Sequence, residues 1–141
     1  MKLSYTVIFL LSLASAAVAH EESVLARVTG YWACGEGASA KYASTGGRLR
    51  AGHCAVDPKR IPYGSKVLFP DGACTAVDTG PAVVNRKAAR LTGRTPSQRN
   101  AIVVDKFFET KGAAVAWTSA HPAFMTLQIV PPGSRSKLTE P

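Results

Sequence analysis

Short apolar segments separated by turn residues run through most of this chain. Their β-branched and aromatic content predicts six strands, at 24–32, 53–56, 65–69, 74–77, 101–104 and 125–130. Pro70-Asp71-Gly72, between the third and fourth strands, favours a hairpin turn. Residues 33–52 are rich in Gly, Ala, Ser and Thr and predict a long surface loop. Short strands punctuated in this way are typical of a sheet whose edges are removed by closure into a barrel.

Helical patterns are few. Residues 109–119 are rich in alanine and are followed by Pro122, which predicts one short helix. Residues 85–91 could form a shorter one, and Gly93 and Pro96 are expected to break anything longer. We therefore expect a mainly-β, six-stranded barrel with one short helix and a basic loop insertion.

The N-terminus has the pattern of a signal peptide. Lys2 precedes a compact apolar segment at 7–13, and Ala17-Val18-Ala19 is a small-residue cleavage site. The apolar segment is too short for a membrane span, so we expect cleavage after Ala19, export and no stable membrane anchor. This divides the chain into a signal peptide at 1–19, one domain at 20–131 and a flexible tail at 132–141.

The charge of the chain suggests an anionic partner. The full chain of 141 residues carries +8, and removing residues 1–19 leaves 122 residues and +7. Cell-wall polymers, lipid headgroups and nucleic acid are the anionic surfaces that a basic protein meets. The basic residues do not alternate with aromatic ones and no nucleic-acid module is evident, so we expect no binding of nucleic acid. We also expect the protein to be a monomer.

The region 81–100 is the most basic part of the chain. It has no acidic residue, and its five basic residues are Arg86, Lys87, Arg90, Arg94 and Arg99. One interpretation is a solvated insertion with no specific role. The other is a basic rim that captures an anionic polymer.

Three cysteines remain after the predicted cleavage: Cys34, Cys54 and Cys74. An exported protein commonly joins two such residues in a disulfide and leaves the third unpaired. The sequence leaves all three pairings open.

Three of the four aspartates follow a short apolar segment. Asp57 and Asp78 each end an Ala-Val-Asp triplet, and Asp105 ends Val-Val-Asp. If these strand ends converge, repulsion between the carboxylates raises at least one pKa. A carboxyl group that stays protonated near neutral pH can protonate a glycosidic oxygen. The alternative is that the aspartates cap turns, since Asp-Pro and Asp-Thr-Gly are common turn sequences.

The order of these motifs resembles the 3D (Asp-Asp-Asp) domain family, found in lytic transglycosylases of the A type and in small proteins related to resuscitation factors. The matching segments are Val28-Thr-Gly-Tyr31, Ala55-Val-Asp-Pro58, Ile61-Pro-Tyr-Gly64, Ala76-Val-Asp-Thr-Gly80 and Val104-Asp-Lys-Phe-Phe108. The resemblance covers about residues 24–131, which is nearly the whole predicted domain.

The resemblance implies a double-psi β-barrel that cleaves peptidoglycan, or another cell-wall glycan, without hydrolysis. The third aspartate, here Asp105, would act as acid and then as base, while Asp78 and Asp57 would raise its pKa, orient it or hold the sugar. Thr79 and Gly80 would line the substrate cleft. The resemblance implies no cofactor and no metal.

Tyr31 has two possible roles under the same resemblance. Its ring could stack on a sugar face, or it could pack within the barrel wall.

Two other functions deserve comparison. Pro81 stands where the family favours glycine, and the segment from Asp78 to Asp105 is longer than is usual. These differences leave open a non-catalytic barrel that binds or loosens the cell wall, as expansin-like proteins do. An aspartic protease would need either a second Asp-Thr-Gly motif, which the chain lacks, or a dimer in which each protomer supplies one.

Overall fold

A computed structural model describes residues 21–33 and 42–134 of the protein. The predicted signal peptide, Cys34 and the tail beyond residue 134 lie outside the described residues. The first part of the predicted 33–52 loop also lies outside them.

Six strands close into one barrel, which confirms the predicted mainly-β fold. The strands are β1 (Glu22–Trp32), β2 (His53–Ala55), β3 (Lys66–Phe69), β4 (Gly72–Asp78), β5 (Ile102–Phe108) and β6 (Phe124–Val130). Around the barrel their order is β1-β5-β2-β4-β3-β6. The pairs β1–β5 and β2–β4 are parallel, and the other four pairs are antiparallel. The predicted hairpin joins β3 to β4, where Phe69 pairs with Gly72.

Alternation along each strand fills the barrel interior with apolar side chains. On β1 the buried residues are Ala26 and Val28, and on β5 they include Ile102 and Val104. Leu127 of β6 also lies in the interior and is fully buried. Residues of the opposite parity point outward, so the outer wall is free to carry polar groups.

In the described part of the chain, four helices pack outside the barrel, rather than one. They are α1 (Pro81–Val84), α2 (Lys87–Thr92), α3 (Pro96–Arg99) and α4 (Lys111–Ala120). The prediction of α4 is confirmed within two residues at its start. The expected basic loop instead contains three short helices, because Pro81 and Pro96 begin α1 and α3. Proline suits the first turn of a helix, where its missing N–H has no intrahelical partner. Within the described residues, no helix is long and apolar enough to cross a membrane.

Cys54 and Cys74 are free thiols in the barrel interior. A disulfide between them, one of the three pairings that the sequence leaves open, is not formed, and β2 and β4 pair Cys54 with Ala76, two residues away from Cys74. The two thiols therefore occupy diagonal positions and do not face each other. Burial raises the pKa of both thiols, which suppresses the reactive thiolate.

Thiol labelling checks this arrangement. In a Cys34→Ser variant, we expect Cys54 and Cys74 to resist an aromatic disulfide reagent at about pH 8. Both should react once the chain is unfolded. Rapid labelling of the native protein would contradict the buried thiols. An absence of free thiol in the unfolded, unreduced protein would show that the disulfide forms.

Candidate functional site

The site lies on the outer wall of the barrel, where β2 runs between β4 and β5. Ala55 of β2 pairs with Asp105 on one side and with Asp78 on the other. On the far side of β5, Asp105 pairs with Thr29 of β1. The two carboxylates therefore flank a small alanine side chain in one row across three strands.

A β-bulge brings Asp78 into this row. The ladder between β2 and β4 pairs Cys54 with Ala76 and then Ala55 with Asp78, so that Val77 is an extra residue on β4. Without the bulge, with Val77 regularly paired, strict alternation would place Asp78 on the same face as Cys74 and Ala76, which line the interior. The bulge thus redirects the carboxylate to the outer wall.

The surroundings of Asp105 favour the protonated form of its carboxyl group. Thr29 Oγ1 donates a hydrogen bond to Asp105 Oδ1 at 2.9 Å. Burial raises the pKa of Asp105 to about 6; the hydrogen bond from Thr29 opposes this shift, and the charge of Asp78 adds to it. The Asp105 carboxyl group can therefore donate a proton in mildly acidic to neutral conditions.

Asp78 accepts hydrogen bonds from three donors. Its Oδ1 accepts from the backbone N–H groups of Ser44 at 2.7 Å and Thr79 at 2.9 Å. Its Oδ2 accepts from the Tyr31 hydroxyl at 3.0 Å. This bonding fixes the orientation of the carboxylate and attaches the turn at 42–49 to the barrel.

Tyr31 packs within the wall and reaches the acidic pair. Its ring meets Phe107 edge to face, with the centroids 5.3 Å apart. Burial, the charge of Asp78, the hydrogen bond to Asp78 and the charge of Asp105 all raise the pKa of its hydroxyl. Tyr31 therefore stays neutral and positions Asp78, while its ring is committed to packing.

Lys106 follows Asp105 in sequence but does not neutralise it. Strand alternation turns the two side chains to opposite faces, and Lys106 Nζ lies 3.4 Å from Asp71 Oδ1. The same ammonium lies 4.4 Å from the ring centroid of Trp117 and 4.7 Å from that of Phe69. Lys106 is thus engaged elsewhere, and the acidic pair keeps its negative potential.

Thr79 and Gly80 border the pair. Among the described residues, the buried Thr79 Oγ1 has no hydrogen-bond partner. A Cβ atom added to Gly80 would meet no atom within 4 Å, so the space beside it is open. The open space beside Gly80 leaves room for a ligand next to the acidic pair.

Asp57 makes different contacts from those of the acidic pair. Asp57 Oδ1 accepts from the backbone N–H of Lys59 at 3.0 Å, which is the turn-capping alternative. Asp57 lines a separate cavity of about 30 Å³, together with Arg60, Val83 and Arg86. Asp78 is the acidic residue whose charge acts on Asp105.

The sequence interpretation missed the residues that hold the two aspartates. Thr29 is two residues before Tyr31 on β1, so alternation alone places both side chains on one face. That pattern could have identified Thr29 as a neighbour of the site. Ser44 contributes only its backbone N–H, and no local pattern predicts that contact.

No protein-family model matches the chain, and no curated protein is significantly similar to it. Within the described residues, no group of three or more His, Cys, Asp or Glu side chains could hold a metal ion. The function must therefore be inferred from the geometry of the acidic pair and from the motif resemblance.

Proposed function

We propose that the protein is an exported peptidoglycan lytic transglycosylase. It cleaves the β-1,4 bond between N-acetylmuramic acid and N-acetylglucosamine and leaves a 1,6-anhydro end. The observation that carries this proposal is the half-buried carboxyl group of Asp105, whose pKa is raised to about 6 beside the fixed carboxylate of Asp78. The closed six-stranded barrel and the ordered 3D-like motifs support it.

One carboxyl group suffices for this reaction. Asp105 donates its proton to the glycosidic oxygen, the bond from that oxygen to C1 of the muramic acid breaks, and N-acetylglucosamine leaves with its new hydroxyl. The Asp105 carboxylate then removes the proton from the C6 hydroxyl as O6 attacks C1. The proton returns to Asp105 and no water is consumed. The muramic acid is left with an intramolecular bond between O6 and C1.

Asp78 acts on this cycle through its charge. Negative charge beside Asp105 favours the protonated form before the first step and also favours the positive charge that develops at C1. The three hydrogen bonds to Asp78 keep it in place as that charge develops. Tyr31 and the turn at 42–49 are therefore positioning elements, and the open space beside Gly80 leaves room for the substrate.

Digestion of purified cell wall tests the proposal. We expect the protein to release muropeptides with 1,6-anhydro ends, which mass spectrometry separates from reducing ends by the mass of one water. Release of reducing ends would make the protein a hydrolase. Binding to insoluble wall with no soluble product would favour the non-catalytic, wall-loosening alternative.

A further inference from the structure

Two grooves on the outer face of β1 meet at Arg27. The first, of about 220 Å³, runs between β1 and α4 and is lined by Thr29, Gly30 and Val115, among others. The second, of about 330 Å³, is lined by Arg94, Gln98 and Phe124, among others. Arg27 lines both, so the grooves form one path along β1.

This path passes the residue that donates a hydrogen bond to Asp105. Thr29, which lines the first groove, is also the donor to Asp105. Thr29 and Arg27 are two residues apart on one strand and face the same side, at a spacing of about 7 Å. That spacing is comparable to the length of one sugar residue. A glycan bound at Asp105 and extending along β1 would place a neighbouring unit at Arg27.

Arg27 is fixed in place but has unused donors. Its Nε donates to Thr92 Oγ1 at 3.1 Å and its Nη1 donates to the backbone oxygen of Val28. The guanidinium lies 5.8 Å from the centroid of the Phe124 ring. A guanidinium has five N–H donors, so about three remain for a ligand.

The charge around Arg27 is positive and uncompensated. Arg94 is the second cation of the path, and no acidic residue lines either groove. Among the described residues the one salt bridge joins Lys106 to Asp71, at a different part of the barrel. A preorganised arginine with free donors and no acidic partner suits bidentate binding of a carboxylate.

We infer that Arg27, assisted by Arg94, is a subsite for a carboxylate of the peptide attached to the glycan. The sugars of the glycan strand are themselves uncharged, and the carboxylates of the substrate are on its stem peptides. The inference rests on the proposed function, because it takes the ligand at Asp105 to be peptidoglycan. It assigns part of the basic insertion to substrate selection.

Two soluble substrates test the subsite: glycan fragments with free stem-peptide carboxylates, and the same fragments after those carboxylates have been converted to methyl esters. We expect wild-type protein to prefer the fragments with free carboxylates by about tenfold in kcat/KM at low salt, mainly through KM. Arg27→Gln should reduce this preference to about one, and Arg27→Lys should restore only part of it, because lysine lacks the planar fork.

Arg90→Gln is the matched control. Like Arg27→Gln it removes one positive charge, but Arg90 is on α2 and lines neither groove. It should keep the wild-type preference. Equal cleavage of both substrates by wild-type protein would overturn the subsite, as would an unchanged preference in Arg27→Gln; either result leaves the proposed function standing.

Binding measurements separate the subsite from the enzymatic activity. If no anhydro product forms from either substrate, the proposed function fails and fluorescence anisotropy of labelled fragments decides the subsite alone. Tighter binding of the fragment with free peptide carboxylates than of its methyl ester, lost in Arg27→Gln, would support the subsite. Equal affinity for the two fragments would overturn it.

Discussion

Asp105→Asn should reduce the release of anhydro-muropeptides by about a thousandfold, within the range expected for removal of a general acid and base. The amide cannot donate a proton to the glycosidic oxygen or accept one from the C6 hydroxyl. Its oxygen can still accept the hydrogen bond from Thr29, so the fold should survive. Product release at pH 5 to 6, near the pKa of about 6, is the measurement.

The stability of Asp105→Asn provides the folding control. Because the folded pKa of Asp105 lies above its ordinary value, its stabilising contribution is present at low pH and is lost as pH rises through about 6. Asparagine does not ionise, so the variant should equal wild type in acid and exceed it at higher pH by up to about 3 kcal/mol. Thermal melts across this range would show the divergence. An active, correctly folded variant would contradict the proposed role of Asp105.

Asp57→Asn distinguishes two carboxylates from three. Asparagine caps a turn as aspartate does, so the contact with the Lys59 N–H should persist. The structure then leads us to expect nearly wild-type product release. A loss comparable to that of Asp105→Asn would restore the three-carboxylate hypothesis.

The second large effect is expected for Asp78→Asn, which should move the alkaline limb of the pH–activity profile to lower pH. Removing the negative charge removes one of the causes that raise the pKa of Asp105. Less of the acid form then remains at pH 7, where we expect activity to fall by about tenfold or more. The asparagine oxygen can still accept from the N–H groups of Ser44 and Thr79, which keeps the loop attached.

Asp71→Asn is the charge-matched comparison for this prediction. Asp71 pairs with Lys106 and accepts from Trp117 Nε1 at 2.8 Å, on the face opposite to Asp105. This substitution should leave the alkaline limb in place. A profile of Asp78→Asn that superimposes on wild type would show that the acidic pair is not electrostatically coupled in the reaction.

The sequence predicted the strands well, and its main errors concern where strands and helices end. The prediction ended the fifth strand before Asp105, because Asp105 and Lys106 interrupt the apolar pattern. In the structure β5 continues to Phe108, with Asp105 turned outward and Lys106 to the other face. Pro96 was predicted to break a helix, although it occupies the first turn of α3, and the sequence interpretation did not predict α1, which begins at Pro81.

The candidate site was only partly predictable, because its geometry depends on pairing between distant strands. Asp78 ends β4 as expected, but Asp105 lies within β5, and the two meet sideways across Ala55. Neither the position of β2 between them nor the bulge at Val77 has a local sequence signal. Asp57 shares the Ala-Val-Asp triplet but follows the end of β2, where a capped turn satisfies it.

The bulge at Val77 also separates the position of the acidic pair from the packing of the barrel core. Both acidic side chains stand on the outside of the wall, so the inner lining is left to hydrophobic packing alone. Changes of side-chain volume inside the barrel, for example at Cys54 or Cys74, leave Asp78 and Asp105 on their own side of the sheet. Substitutions in the core can therefore change thermal stability without moving the two carboxylates to another face of the sheet.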